Sequence, residues 1–403
     1  MTPKQQNTRS LLQCFSYLQN KAPTWNVDYS RLPGRRRQGF ATHAPSRLKT
    51  ALFFPGQGVQ KVGMATPWLE AFPSTAKPFL EEMDHLVGCS LSKIIEEGPS
   101  RTLTTTENSQ PAIMATSILI LRVLEEEFGF KTSERVDFTL GHSLGEFAAL
   151  VAGGYMDYPT SLKLVRRRGE VMARCSRRAS EESGDSHGMV ALLCEPGRLT
   201  SLISTINEFL HHDKADASED PAISQVQIAN INSKTQIVLS GNLSKIRTLL
   251  VQLRQFSGHD PRAVMLKSDS PFHHSEFMAP AAEFMKKLLK QTEVKFPTGM
   301  PCISNVTALP FTSADNLKNL LARQCIETVR WWDSIKYLDQ EEKVRRWVGI
   351  GPGKVGRNLV GKEVGMRGRD LVKGGGVWAI CDPRDIEDVL RGLEQTEAAQ
   401  EED

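Results

Sequence analysis

The chain has 403 residues, of which 40% are hydrophobic and 24% charged, so it can form one large domain with an insertion or two domains. It contains no run of about 18 apolar residues, and we expect no membrane-spanning helix. The seven cysteines lack the Cys-x-x-Cys or Cys/His spacing of metal centres. The sequence therefore predicts neither a zinc site nor a disulfide framework.

The first 47 residues carry an excess of positive charge. They contain eight lysine or arginine residues and one acid, a charge of +7, so the remainder carries −4 of the total of +3. This Arg-rich, acid-poor leader, with a basic amphipathic pattern at residues 9–18, resembles a mitochondrial transit peptide. We predict such a peptide over residues 1–47 and a location in the mitochondrial matrix; a disordered basic tail is the alternative. The remainder has no basic excess, which argues against a nucleic-acid partner.

The folded part is predicted to begin near Leu48 with strands and helices in alternation. In chain order, the patterns predict a strand at 50–54, helices at 66–87 and 111–128, a strand at 136–141 and a helix at 145–176. This alternation is typical of an α/β domain around a mainly parallel sheet.

The segment 187–267 follows a different order. Its predicted elements are a strand at 189–194, a helix at 199–210, strands at 226–231 and 236–240, a helix at 243–256 and a strand at 263–266. The order β-α-β-β-α-β is that of a ferredoxin-like unit. We predict that this subdomain is inserted into a core formed by residues 48–186 and 268–395, with an acidic tail over residues 396–403.

Two further stretches are predicted to lie outside regular elements. Residues 211–220 are polar without apolar periodicity and are predicted as an exposed loop, in preference to a metal site at its two histidines. Residues 361–376 contain six glycines among basic residues. No strand and helix flank them as in a phosphate-binding loop, so they are predicted as a flexible insertion.

The pattern Gly141-His-Ser143-Leu-Gly145 is the strongest chemical signal. It joins the predicted strand 136–141 to a helix, the context in which a sharp turn exposes a serine Oγ and small residues allow close approach. We predict Ser143 as a nucleophile, with the main-chain N–H of Leu144 as one donor of an oxyanion hole. The loop from Pro55 to Gly58 is either a second source of donors or an ordinary turn.

A serine nucleophile also needs a base. The best-placed histidines are His273 and His274, just before a helical pattern, and a structural role for both is the alternative. Arg168 lies beside the apolar stripe of a predicted helix and is a candidate anchor for an anionic substrate. A solvated charged run with Arg166 and Arg167 is the alternative there.

Taken together, these motifs stand in the order found in the malonyl-CoA:acyl carrier protein transacylases, which the chain closely resembles over about residues 50–360. The matching segments are Phe53–Gln60, Gly141–Glu146, Arg168, Phe272–Ser275 and Gly351–Val355. The resemblance implies an α/β-hydrolase-like core with a ferredoxin-like insertion. With the basic leader, the chain resembles the mitochondrial type of this family.

The resemblance implies a reaction and its partners. A malonyl group would pass from malonyl-CoA to the phosphopantetheine thiol of acyl carrier protein through a malonyl-serine intermediate, in ping-pong order, feeding fatty acid synthesis. No metal, nucleotide or flavin is implied, and we expect a monomer. The same resemblance assigns the nucleophile to Ser143, the oxyanion hole to Gln57 together with Leu144, and the malonate carboxylate to Arg168.

The family match is less direct for the base. Counting back from Met278 and Pro280 places it on His274, whereas counting forward from Pro271 and Phe272 places it on His273. We expect His274.

The resemblance also implies residues around the pocket. Gln324 matches a pocket residue whose main-chain carbonyl orients the base. Asn232, with Asn230, matches positions near the pocket; a role as strand-turn residues is the alternative.

Three other functions fit parts of the pattern. A hydrolase would use the same serine, but Arg168 would then have no obvious purpose. A scaffold that binds carrier protein without catalysis would need none of Ser143, Gln57 and Arg168. A transferase for methylmalonyl or another branched group remains open, because His273 stands where a different residue is expected next to the base.

Overall fold

The computed structural model describes residues 47–212, 225–268, 270–365 and 376–398, without the side chains of residues 211, 212 and 398. The strands in these ranges are β1 (Thr50–Phe54), β2 (Phe138–Gly141), β3 (His187–Leu193), β4 (Val226–Ser233), β5 (Gln236–Asn242), β6 (Arg262–Met265), β7 (Cys302–Ile303), β8 (Arg346–Ile350) and β9 (Gly376–Ile380). Residues 1–46 of the predicted leader and residues 213–220 of the predicted polar loop lie outside the described residues, whereas residues 211 and 212 of that loop belong to a helix.

Helices connect these strands. They are α1 (Thr66–Ala71), α2 (Pro73–Val87), α3 (Leu91–Glu97), α4 (Ser100–Thr104), α5 (Thr106–Phe128), α6 (Thr132–Arg135), α7 (Gly145–Ala152), α8 (Tyr158–Ser183), α9 (Leu199–His212), α10 (Leu243–Phe256), α11 (Ala279–Gln291), α12 (Ala314–Arg323), α13 (Trp331–Lys336), α14 (Val355–Val364) and α15 (Ile386–Ala398). A π-helical turn (Tyr337–Glu341) and a 3₁₀ turn (Pro383–Asp385) complete the described elements. No helix in the described ranges is long and apolar enough to cross a membrane.

Five strands form a parallel sheet in the order β7-β2-β1-β8-β9. Strands β1 and β2 are neighbours, and Phe54 at the end of β1 pairs with Gly141 at the end of β2. The loop that begins at Pro55 and the turn that holds Ser143 therefore leave the same edge side by side. This is the carboxyl edge, where open α/β sheets bind their ligands.

Both faces of the parallel sheet are buried. In β1, Leu52 and Phe54 contribute to one hydrophobic cluster, whereas Ala51 and Phe53 contribute to another on the opposite face. The alternation follows from the two-residue period of a strand, and burial on both faces explains why β1 is apolar throughout. The predicted α/β core is confirmed.

Four strands form a separate antiparallel sheet in the order β4-β5-β3-β6. This order, with α9 and α10 in the connections, is that of the predicted ferredoxin-like unit, which is confirmed. One face packs on α9 and α10. The other face packs on Met172 of α8 and on Phe272, so it adjoins the elements that carry Arg168 and the histidine pair.

Two of the predicted helices are interrupted. The one predicted over 145–176 consists of α7 and α8, separated at Gly153 and Gly154, the latter with a φ of 75°. Helix α8 begins anew at Asp157, whose carboxylate accepts the Thr160 N–H at 2.7 Å as an N-cap. The helix predicted over 66–87 likewise breaks before Pro73, because proline donates no main-chain hydrogen bond.

The end of the chain differs from the predicted boundaries. Residues 361–364 of the predicted insertion complete α14, and Gly376 begins β9, whereas residues 366–375 lie outside the described part. The prediction that an acidic tail begins at residue 396 is wrong, because α15 continues to Ala398. Glu397 accepts a hydrogen bond from the buried Arg346 at 3.0 Å, so its charge stabilises the fold; residues 399–403 are outside the described part.

Candidate active site

Ser143 lies in a sharp turn between β2 and α7 with a φ of 52°, a conformation that few non-glycine residues adopt. The turn requires both flanking glycines. A Cβ on Gly141 would lie 2.0 Å from the main chain of Gly145, and one on Gly145 would lie 2.6 Å from the Pro55 oxygen. The motif therefore forms the strand-turn-helix predicted from the sequence.

Asn305, just after β7, holds this turn in place. Its Oδ1 accepts the Ser143 N–H at 2.7 Å, and its Nδ2 donates to the Gly141 oxygen at 2.6 Å. The side chain is 2% exposed. Sequence reasoning missed this residue, because a lone asparagine after a two-residue strand has no distinctive local pattern.

His273 is the imidazole that contacts the serine. Its Nε2 lies 2.9 Å from Ser143 Oγ, and its Nδ1 lies 2.7 Å from the main-chain oxygen of Gln324. Because a carbonyl oxygen only accepts, Nδ1 carries the proton and Nε2 is free to accept the serine proton. Burial, then the charge of Arg168, lower the pKa of His273 to about 3, so the ring is neutral near pH 7.

The expectation that His274 is the base is wrong. Its ring packs 4.4 Å from that of Phe277, and its Nδ1 accepts the Glu276 N–H at 3.3 Å. His273 has a φ of 58°, and this local conformation of the turn decides which of the two rings faces Ser143. Counting forward from Phe272 identifies the correct residue, because the turn before α11 does not keep helical spacing.

Arg168 points from α8 into the same site and is 1% exposed. Its Nη2 lies 3.3 Å from Ser143 Oγ and 2.8 Å from Gln324 Oε1, and its Nη1 donates to Gln110 Oε1 at 2.8 Å. The two amide partners are neutral, and none of the salt bridges in the described ranges includes Arg168. Its positive charge is therefore available to an anionic substrate.

The neighbouring arginines of α8 have different surroundings. Arg166 and Arg167 both form ion pairs with Glu170, at 2.9 and 3.1 Å. Arg167 is the more exposed of the two, with 65% of its side chain accessible. The alternative of a solvated charged side chain therefore applies to Arg167, whereas Arg166 is 20% exposed and Arg168 is buried.

The loop after β1 approaches the serine turn closely, as the sheet register requires. A Cβ on Gly56 would lie 2.7 Å from Nδ1 of His142. Among the described residues, the main-chain N–H groups of Gln57 and Leu144 have no hydrogen-bond acceptor. Two unpaired N–H groups, one on the loop and one at the start of α7, are what an oxyanion hole requires.

Asn232 on β4 lies behind the turn. Its Oδ1 is 3.0 Å from His142 Nε2, and Asn230 Nδ2 is 3.3 Å from the same nitrogen. Burial lowers the pKa of His142, so this ring is neutral as well. The structure therefore places Asn232 against His142, next to Ser143, and shows no direct contact between Asn232 and the nucleophile.

Comparisons with known proteins agree with this geometry. The family model described as "Acyl transferase domain" matches residues 52–197. The malonyl CoA-acyl carrier protein transacylase of Bacillus subtilis (strain 168) is 35% identical over 347 residues, which cover 86% of this chain and 98% of that protein. The chain belongs to the malonyl-CoA:acyl carrier protein transacylase family.

Solved structures of similar transacylases have the same fold. The acyl-carrier-protein-S-malonyltransferase from Bartonella henselae is 32% identical with a TM-score of 0.71, and the match covers 86% of this chain and all of that one. A malonyl-transacylase solved in complex with its type II PKS acyl-carrier protein is 26% identical with a TM-score of 0.70, covering 86% and 99%. The parallel core with its antiparallel subdomain is therefore the transacylase fold.

Two more residues of the site were missed from the sequence. Gln110 on α5 and Glu146 on α7 are each 1% exposed and contact the site through Arg168 and Gln324. Glu146 stands one residue beyond the serine motif, and an acid in an otherwise apolar helix is a signal that could have been used. Gln110 has no comparable signal, since it becomes part of the site only through the packing of α5 on α8.

Proposed function

We propose that the protein transfers malonyl groups from malonyl-CoA to acyl carrier protein and so supplies fatty acid synthesis. One observation carries this proposal: a serine Oγ lies 2.9 Å from a neutral histidine and 3.3 Å from an arginine that has no acidic partner among the described residues. The pair activates the serine, and the arginine selects an acyl group that bears a free carboxylate.

The first half of the reaction acylates the enzyme. The malonyl carboxylate binds Arg168, which places the thioester carbonyl beside Ser143. His273 Nε2 takes the Oγ proton as Oγ attacks, while the Gln57 and Leu144 N–H groups stabilise the oxyanion. The tetrahedral intermediate collapses, the C–S bond breaks, and the proton on His273 passes to the departing coenzyme A sulfur.

The second half reverses these roles. The phosphopantetheine thiol of the carrier protein enters the site, and His273 takes its proton as the sulfur attacks the malonyl-serine ester. The ester C–O bond then breaks, and Ser143 regains its proton from His273. One site serves two substrates in turn, which gives ping-pong kinetics. None of these steps uses a metal or an organic cofactor.

The direct test is the covalent intermediate. Incubation of residues 47–403 with malonyl-CoA is expected to add the mass of one malonyl group, whereas the Ser143→Ala variant gains none and acetyl-CoA gives little adduct. Intact-mass spectrometry measures all three. Release of coenzyme A without any adduct would instead indicate hydrolysis.

We also propose that the protein is a monomer, and sedimentation experiments on the same preparation test this.

We further propose that residues 1–47 direct the protein to the mitochondrial matrix, on the grounds of their +7 charge and their single acid. Fused to a fluorescent protein, these residues are expected to accumulate in mitochondria and to be removed there. A matched fusion in which Arg35, Arg36 and Arg37 are replaced by glutamate is expected to stay outside. Equal distribution of the two fusions would contradict the proposal.

A further inference from the structure

The mechanism above leaves one buried titratable group in the site unused. Glu146 on α7 is 1% exposed and lies three residues after the nucleophile. Its Oε1 accepts the main-chain N–H of Asn305 at 2.9 Å, and its Oε2 accepts a hydrogen bond from Gln324 Nε2. Both oxygens are therefore acceptors, which is the pattern of a carboxylate rather than a carboxylic acid.

Gln324, at the end of α12, connects this carboxylate to the rest of the site. Its Nε2 donates to Glu146 and, at 2.8 Å, to the Ser143 oxygen, while its Oε1 accepts from Arg168 Nη2 at 2.8 Å. Its main-chain oxygen accepts from His273 Nδ1. A glutamine amide has a donor end and an acceptor end, so the group that binds one end decides what the other end presents.

We propose that Glu146 is a positioning residue for malonyl selectivity, because its carboxylate orients the Gln324 amide so that the carbonyl end holds the Arg168 guanidinium beside Ser143. The inference rests on the proposed function, since it assigns Arg168 to the malonyl carboxylate. Without an acceptor at Glu146, only the Ser143 oxygen holds the NH₂ end of the amide, so the amide turns that end toward Arg168 more readily. Two donors would then face each other, and the guanidinium would lose its fixed position.

The Glu146→Gln substitution tests this idea with almost no change in volume. The NH₂ group of the new side chain faces either the Asn305 N–H or Gln324 Nε2, so two donors meet. Reversal of the Gln324 amide relieves the conflict at Gln324 but loses the hydrogen bond to the Ser143 oxygen. We expect kcat/KM for acylation by malonyl-CoA to fall roughly 10- to 100-fold, largely through a higher KM. Acylation by acetyl-CoA, which makes no use of Arg168, is expected to change less than about threefold.

The ratio of the two acylation rates separates this role from general support of the fold. Burial raises the pKa of Glu146 to about 8 even though the hydrogen bonds from Asn305 and Gln324 and the charge of Arg168 act to lower it. The rates are therefore compared at about pH 8.5, where the carboxylate form predominates. The matched control is Glu170→Gln. Glu170 lies on the same helix as Arg168 but pairs with Arg166 and Arg167, and its variant is expected to keep the ratio within about twofold.

A double-mutant cycle shows whether Glu146→Gln acts on malonyl selectivity through Arg168. In an Arg168→Ala background, Glu146→Gln is expected to leave the ratio unchanged, because the residue through which it acts is absent. If Glu146→Gln fails to fold, Gln324→Met takes its place. That variant removes the amide, retains the main-chain oxygen that orients His273, and is expected to lower the ratio by a similar factor.

The outcomes are distinct. An equal fall with both thioesters, an unchanged ratio, or a further change in the Arg168→Ala background would overturn the proposal for Glu146. Absence of a malonyl adduct on the wild-type protein would instead overturn the proposed function itself.

Discussion

Replacement of His273 by alanine is expected to slow acylation of Ser143 by malonyl-CoA about 10²- to 10⁴-fold, the usual contribution of a general base. His273 Nε2 lies 2.9 Å from Ser143 Oγ, and its other nitrogen is held by the Gln324 oxygen. Pre-steady-state release of coenzyme A measures the rate. If the variant retains the circular dichroism spectrum and melting temperature of the wild type, the slower acylation reflects loss of the base and not a folding defect.

His274→Ala is the matched control, since the two histidines are adjacent and similarly buried. It removes a ring that packs on Phe277, so we expect a loss of stability of about 1–3 kcal/mol with an acylation rate within a few-fold of wild type. The opposite pattern, with His274→Ala inactive and His273→Ala active, would show that the base is His274 after all.

Replacement of Arg168 by alanine is expected to lower kcat/KM for malonyl-CoA roughly 10²- to 10³-fold while leaving acetyl-CoA acylation nearly unchanged. Loss of one partner of a buried charge pair typically costs about 2–5 kcal/mol, and each 1.4 kcal/mol is a factor of ten. Arg168→Lys is expected to recover little, because an ammonium cannot bind a carboxylate with two parallel hydrogen bonds. Parallel kinetics with the two thioesters provide the measurement.

Arg167→Ala is the control for this series. Arg167 lies next to Arg168 on α8, but its side chain is 65% exposed and paired with Glu170. We expect its malonyl and acetyl kinetics to match those of the wild type, since an exposed ion pair contributes about 1 kcal/mol or less. Equal losses with both thioesters in Arg168→Ala would indicate that the arginine supports the serine turn and does not select the substrate.

Several features of this protein depend on interactions between residues that are close in the sequence, and the sequence predicted them. The serine turn needs glycines at two positions where a Cβ would meet main-chain atoms, so Gly141 and Gly145 identify it locally. Apolar runs in a fixed order with helical patterns predicted both sheets, because each run and each helical pattern is a local property of the sequence. The breaks in the predicted helices were missed because apolar periodicity resumes after Gly154, and local periodicity does not show where the main chain turns.

The sequence by itself determined the nucleophile, the fold class and the resemblance to malonyl transacylases, since these depend on short local motifs and on the order in which they follow one another. Only the tertiary structure decided between His273 and His274, because the choice depends on a turn and on the Gln324 oxygen, 51 residues away. The same holds for the network of Glu146, Gln324 and Arg168. Its members come from three helices, and their hydrogen bonds exist only once packing has brought those helices together and excluded water from between them.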